Sequence, residues 1–289
     1  MCDPSQLYGF DLNMLVMFGM AVLIVYVAFH TPELMIVLDM SQEELEETEF
    51  KSSQALLFFF GASFMLLGLY LLMDYIMIIL TLWVTFGATV AISILIQEVL
   101  GRNFVKDQKS LGTFRVPCIG NFNYFDVVCF AMGSCFSIGW LVTKNWVLNN
   151  ILGTCMALLF LKTLRLNKLM PGVILLSLLF FYDIFWVFYS SRFTTGGQSV
   201  MVAVASRLEA PIKLMMPHIT IDYPTSTCSM LGLGDIVIPG IFIGFLVRFG
   251  RIVTVSSNGG YSGYGTYAIV TYAASLLCCG LFLVLFKSA

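Results

Sequence analysis

The stretch that decides the fold is Leu175 to Tyr189, LLSLLFFYDIFWVFY, in which one acid, Asp183, lies among aromatic and aliphatic residues. No other charged residue occurs in this run. A charged side chain at the centre of a bilayer costs about 2.5 kcal/mol or more, so such an acid normally faces a protein interior or a water-filled cavity. Asp183 is therefore a candidate functional residue, and the next question is which residue works with it.

The composition of the whole chain indicates a membrane protein. Of its 289 residues, 59% are hydrophobic and 11% are charged, and the mean hydropathy is +0.91. This is far more apolar than a soluble domain. This hydrophobicity predicts a chain embedded in the lipid bilayer. The net charge of -2 provides no basic surface, so we predict no nucleic-acid partner.

Apolar runs of about 20 residues are needed to cross a hydrocarbon core about 30 Å thick. Eight such runs predict an all-α fold, a polytopic transmembrane helical bundle that forms a single membrane domain over residues 1–289. The predicted helices are 12–29, 54–73, 75–97, 124–142, 145–164, 170–190, 228–249 and 266–286.

The orientation of the bundle follows from lysine and arginine, which are retained in cytoplasmic links. With the N-terminus outside, the cytoplasmic links hold ten of these residues and the outer links hold five. We therefore expect a lumenal N-terminus. The connecting segment 191–227, between the sixth and seventh runs, then lies on the lumenal side.

A second lone acid, Asp235, lies in the seventh run within SMLGLGDIVIPGIF. Asp183 is seven residues before the end of the sixth run, and Asp235 is seven after the start of the seventh. At 1.5 Å per residue, both acids would lie about 10 Å below the same membrane boundary. Gly232 and Gly234 are small residues of the kind that permit close contact between membrane helices. We therefore expect the two acids to face each other.

Two facing carboxyl groups support hydrolysis. They cannot both ionise readily, so one keeps a proton while the other acts as a base. The base takes a proton from a water that attacks a peptide carbonyl, and the acid protonates the carbonyl oxygen. This chemistry requires no cofactor, and the cysteine and histidine spacing indicates no metal site.

Two motifs resemble those of the intramembrane aspartic proteases. Tyr182-Asp183 is similar to their YD motif, and Gly232-Leu233-Gly234-Asp235 is similar to their GxGD motif. EAPIKL at Glu209 to Leu214 and GLGDIVIPGIF at Gly232 to Phe242 resemble signal peptide peptidases more closely than presenilins, and WVLNN at Trp146 to Asn150 also fits.

The resemblance implies a function and a site. Asp183 and Asp235 would be the catalytic acids, Tyr182 a support beside them, and Gly232, Leu233 and Gly234 the motif that places the second acid. The substrates would be remnant signal peptides and type II membrane segments in the endoplasmic reticulum membrane. Homo-oligomerisation is left open.

Cleavage of a helical substrate requires that it first unwind. Pro239, one turn after Asp235, would loosen the seventh helix beside the site. The alternation in SVMVAVAS, Ser199 to Ser206, suggests a strand that could pair with an unwound substrate. A loop or an amphipathic helix is an equal alternative for this segment.

One feature departs from the resemblance. The family has a ninth helix with a Pro-Ala-Leu motif, and no such motif occurs in this chain. We expect the sequence to be a fragment, and activity of a form without that helix is an open question.

Two other functions remain as alternatives. A proton-coupled transporter would use Asp183 and Asp235 as a relay. It would need further polar residues on neighbouring helices, which are poor in them, and the sequence shows no inverted repeat. A catalytically silent protein that binds membrane segments would need no ninth helix.

Overall fold

The computed structural model describes residues 12–30, 52–104, 113–116, 120–164, 166, 168–192, 199–217, 228–256 and 263–286. Helices dominate these residues. The α-helices are α1 Leu12–His30, α2 Ser52–Leu71, α3 Met73–Phe104, α4 Tyr124–Thr143, α5 Trp146–Thr163, α6 Leu169–Asp183, α7 Val200–Arg207, α8 Gly234–Ser256 and α9 Tyr264–Phe286. Helix α6 is continued by a π-helix, Ile184–Tyr189, and by a short 3₁₀-helix, Ser190–Arg192.

The prediction of an all-α, polytopic helical bundle is confirmed. Within the described residues, six helical segments are long and apolar enough to cross a membrane. They are Asn13–His30, Tyr75–Leu100, Tyr124–Thr143, Trp146–Thr163, Leu169–Arg192 and Tyr264–Phe282. The apolar part of α2, Phe59–Leu71, is shorter.

The predicted seventh helix was wrong at its start. Residues Cys228–Gly232 form a strand, and the helix begins at Gly234 and runs to Ser256. Glycine is a poor helix former, so Gly232 and Gly234 favour a break at this point. Asp235 therefore lies in the first turn of α8, and the depth deduced from a run beginning at Cys228 does not apply.

Two antiparallel hairpins accompany the helices. Strand β1, Thr113–Val116, pairs with β2, Gly120–Asn123. Strand β3, Lys213–Pro217, pairs with β4, Cys228–Gly232, with Leu214 opposite Leu231. The second hairpin joins the connecting segment to α8. Of the predicted segment 191–227, residues 193–198 and 218–227 lie outside the described residues.

Of the alternatives left open for SVMVAVAS, the strand is wrong and the helix is confirmed, because Val200–Arg207 form helix α7. Val200 and Val204, one helical turn apart, are buried against Trp186. The three valines have a high strand propensity. Burial of two residues four positions apart, however, requires the period of a helix, and here this packing prevails over the local propensity.

The main core joins α1, α5, α8, α9 and the second hairpin. Its centre holds fully buried aliphatic residues, including Val25, Leu161 and Ile236. Two glycines of α8 permit this packing: a side chain at Gly240 would collide with Leu161, and one at Gly244 with Phe29. The helix that carries Asp235 is thus packed tightly against its neighbours below the first turn.

Candidate active site

Asp183 lies where α6 changes its winding. It is the last residue of the regular α-helix, and the π-helix Ile184–Tyr189 follows it. The amide of Ser190 donates to the carbonyl of Phe185, which is the wider spacing of a π turn. Such insertions are frequent at functional sites. Asp183 is half-buried.

Asp235 lies at the start of a helix, in the first turn of α8, whereas Asp183 lies at the end of one. The carbonyl of Leu233 accepts from the amides of Ile236 and Val237, at 3.1 and 2.8 Å, and so begins the helix. An acidic side chain in the first turn is favoured by the helix dipole. Asp235 is exposed although its helix is packed into the core.

The structure brings the two acids together. They come from α6 and α8, which contact each other, and the carboxylate of Asp235 is close enough to act electrostatically on Asp183. Two acids 52 positions apart in the chain thus lie on neighbouring helices. That the two carboxyl groups face each other as a pair stays a prediction.

The glycines of the GxGD motif do not make the helix contact that we expected. A side-chain carbon at Gly234 would meet no atom within 4 Å, and one at Gly232 would lie 3.4 Å from the Asp235 carboxyl oxygen. The space beside Asp235 is therefore open. In this structure the two glycines clear room around the acid.

Tyr182 packs against α2 and against the π-helix that follows Asp183. Its ring meets those of Phe59 and Trp186 at centroid distances of 6.2 Å each. The Trp186 indole donates to the hydroxyl of Ser63 at 3.3 Å. Tyr182, the residue next to Asp183, is thereby held against a neighbouring helix.

An apolar cavity of about 180 Å³ lies one helical turn from both acids. Leu179 is four residues before Asp183, and Ile238 is three after Asp235. Pro239 lies beyond this position, inside α8. The cavity is lined by side chains of α2, α6 and α8: Phe59, Ala62, Leu175, Leu178, Leu179, Tyr182 and Ile238.

Two buried asparagines of α5 hold the hairpin next to Asp235. The Asn149 amide donates to the carbonyl of Lys213 at 2.7 Å. Asn150 donates to the carbonyl of Met215 at 2.7 Å and accepts from its amide at 2.8 Å. Gly153, one turn further on, lets the hairpin approach, since a side chain there would lie 3.3 Å from Leu233. The sequence flagged WVLNN by resemblance but gave it no role.

The EAPIKL segment leads into β3 and carries an ion pair. The ammonium group of Lys144 lies 3.4 Å from the Glu209 carboxylate, with both side chains partly exposed. Burial lowers the pKa of Lys213, and the nearby Glu209 carboxylate partly opposes this shift. These contacts attach the segment to the α4–α5 turn.

Tyr272 is a further residue that the sequence did not single out. It is buried in α9, and its hydroxyl donates to the backbone carbonyl of Asp235 at 3.0 Å. No spacing in the sequence indicates this contact, because it joins two helices through a main-chain atom.

Among the described residues, no group of three His, Cys, Asp or Glu side chains could hold a metal ion. Five cysteines there are free: Cys129, Cys135, Cys155, Cys278 and Cys279.

Comparison with known proteins gives consistent matches. Residues 41–289 match the family model described as signal peptide peptidase. The chain is 35% identical over 259 residues to a signal peptide peptidase of Mus musculus, which covers 83% of this chain and 64% of the relative. It is 38% identical over 162 residues to a signal peptide peptidase of Homo sapiens, covering 55% and 39%. It is 39% identical over 167 residues to intramembrane protease 2 of Caenorhabditis elegans, covering 54% and 34%.

No solved structure matches the chain. The matched parts make up less than two thirds of the length of each of these three relatives.

Proposed function

Because the chain belongs to the signal peptide peptidase family, we propose that it is an intramembrane aspartic endopeptidase in which Asp183 and Asp235 activate water. The observation that carries this proposal is that two acids, each in an apolar helix, lie on helices that contact each other. Lone acids in membrane helices are rare and usually functional. A pair of them at one open site is suited to acid-base hydrolysis.

The reaction needs one protonated and one ionised carboxyl group. Two close carboxyl groups share a proton, because ionising both would place like charges together. The ionised group removes a proton from water as it attacks the peptide carbonyl, while the protonated group donates to the carbonyl oxygen. The roles then reverse to release the amine. We assign no fixed acid or base, since such a pair titrates as a unit.

The substrates we propose are transmembrane peptides, such as remnant signal peptides and type II membrane segments. A helical segment hides its peptide bonds in hydrogen bonds, so it must become extended at the point of cleavage. In the protein itself, Pro239 lies inside α8 and weakens that helix beside the site. Endoplasmic reticulum location and a lumenal N-terminus form part of the same proposal.

Strand β4 provides an edge for an extended substrate. The backbone groups of Lys213 and Met215 face α5. Because backbone groups alternate in direction along a strand of an antiparallel pair, those of Leu214 point towards β4. By the same alternation, Met230 and Gly232 direct their backbone groups to the other edge. That edge pairs with no further strand in the described part of the chain. Substrate added there would lead directly to Asp235, since Gly232 is three residues before it.

The test is cleavage of a synthetic signal peptide in detergent by the chain as its gene encodes it. Asp183→Asn and Asp235→Asn should each reduce the rate by about 100-fold or more, because each removes a group that transfers a proton. Asp126→Asn is the matched control, since Asp126 accepts from Gln97 at the start of α4. The proposal would be contradicted if Asp183→Asn and Asp235→Asn both cleaved the peptide as fast as Asp126→Asn and the unsubstituted protein. Peptide binding without cleavage by the unsubstituted protein would favour the binding-protein alternative.

A further inference from the structure

The carbonyl of Asp235 lacks its ordinary helical partner. In an α-helix the carbonyl of residue i accepts from the amide of residue i+4. For Asp235 that residue is Pro239, which lies inside α8 and has no amide hydrogen. A proline at this position also crowds the carbonyl four residues earlier. The first turn of α8 is therefore without the hydrogen bond that would hold the carbonyl of Asp235.

A side chain of another helix occupies this place. The hydroxyl of Tyr272, in α9, donates to the carbonyl of Asp235 at 3.0 Å. Tyr272 is only 7% exposed, and a buried tyrosine hydroxyl normally needs a partner. The carbonyl of Tyr272 in turn accepts from Ser275 at 2.7 Å. One contact thus satisfies the tyrosine hydroxyl and a carbonyl left free by proline.

We propose that Tyr272 is a positioning residue for Asp235. It replaces the backbone donor that Pro239 removes, and so fixes the first turn of α8 from outside that helix. Its effect on catalysis rests on the proposed function of Asp235. Helix α9 also packs closely on α8 further along, since a side chain at Gly265 would collide with Val247.

The substitution Pro239→Ala makes this proposal testable, because alanine restores an amide at position 239. In the natural background, Tyr272→Phe removes the only donor from the neighbouring helix that the structure shows on this carbonyl. In the Pro239→Ala background, the helix can supply its own donor, and Tyr272→Phe should matter little. The experiment is therefore a double-mutant cycle with the full gene-encoded chain in detergent.

Two readouts are needed for each of the four proteins. The first is the melting temperature, which does not depend on any proteolytic activity. The second is kcat and KM for the synthetic signal peptide. Tyr267→Phe is the matched control, since it is the same change in the same helix at a side chain that is 75% exposed.

With Pro239 present, Tyr272→Phe should lower kcat by about three- to tenfold with little change in KM, as expected for one lost hydrogen bond that orients a reacting group. It should lower the melting temperature by about 2–4 °C. In the Pro239→Ala background, both effects should largely disappear. Tyr267→Phe should change neither quantity.

Equal effects of Tyr272→Phe in both backgrounds, or no effect in either, would overturn the proposal. Coupling in the melting temperature without coupling in kcat would reduce Tyr272 to a structural contact and would also overturn the positioning role. If no variant cleaves while the melting temperatures couple, the replaced hydrogen bond stands and the proposed function is what fails.

Discussion

The asparagine contact with β3 can be tested by replacing Asn150 with alanine. Asn150 makes two hydrogen bonds, at 2.7 and 2.8 Å, to the carbonyl and amide of Met215. The asparagine end of this contact is buried, at 8% exposed, and Met215 is partly buried. The substitution therefore leaves one backbone donor and one backbone acceptor without partners.

The size of the effect follows from these two bonds. A net contribution of about 0.5–1.5 kcal/mol for each gives a loss of about 1–3 kcal/mol. If water cannot reach the two abandoned groups, each costs about 1–3 kcal/mol and the total rises towards about 6 kcal/mol. Asn145→Ala is the control, since Asn145 caps the same helix through Val147 without touching β3. Its loss should be about 1 kcal/mol.

The assay is unfolding in mixed detergent micelles, combined with amide hydrogen exchange of the β3 and β4 peptides. Asn150→Ala should destabilise the protein more than Asn145→Ala and should speed exchange in both strands and in the first turn of α8. The reasoning would be refuted if Asn150→Ala lost less stability than Asn145→Ala, or if exchange in the hairpin were unchanged by Asn150→Ala.

Two further predictions concern the helix bundle. Lys162 and Glu98 form an ion pair at 2.8 Å with both side chains 9% exposed. Lys162→Met should cost about 3–5 kcal/mol of unfolding free energy, and adding Glu98→Leu should recover most of it; a neutral single variant would contradict this. Gly133→Ala should cost about 1–3 kcal/mol, because its methyl group would collide with the Ser93 hydroxyl of α3. Gly139→Ala, where the nearest atom would be 3.6 Å away, should cost nothing, and equal losses at the two glycines would refute the clash.

The apolar runs were sufficient to predict the helices, because run length is a local property. A backbone in lipid must satisfy its own hydrogen bonds, and a helix does this within one segment. Each of the eight predicted runs overlaps a helix in the structure. The error occurred where the chain leaves the regular spans, at Cys228, which begins a strand. At Val200 the sequence left a strand and a helix open, and the structure has a helix.

The candidate acids could also be recognised without the structure. Asp183 and Asp235 are conspicuous because a charge in an apolar run is costly wherever the run packs. Their pairing with the YD and GxGD motifs then indicated the family, which the match over residues 41–289 shows. Their roles as catalytic groups stay a prediction until the variants are measured.

The sequence by itself thus determined the apolar segments, the two unusual acids and the family. Tertiary structure alone decided what surrounds the acids: the amides of Asn149 and Asn150 on β3, the hydroxyl of Tyr272 on Asp235, and the open space at Gly234. The physical reason is that burial in lipid depends on each segment's own composition. The partner of a polar group, in contrast, is chosen by how distant helices pack, and this is not encoded in any local pattern.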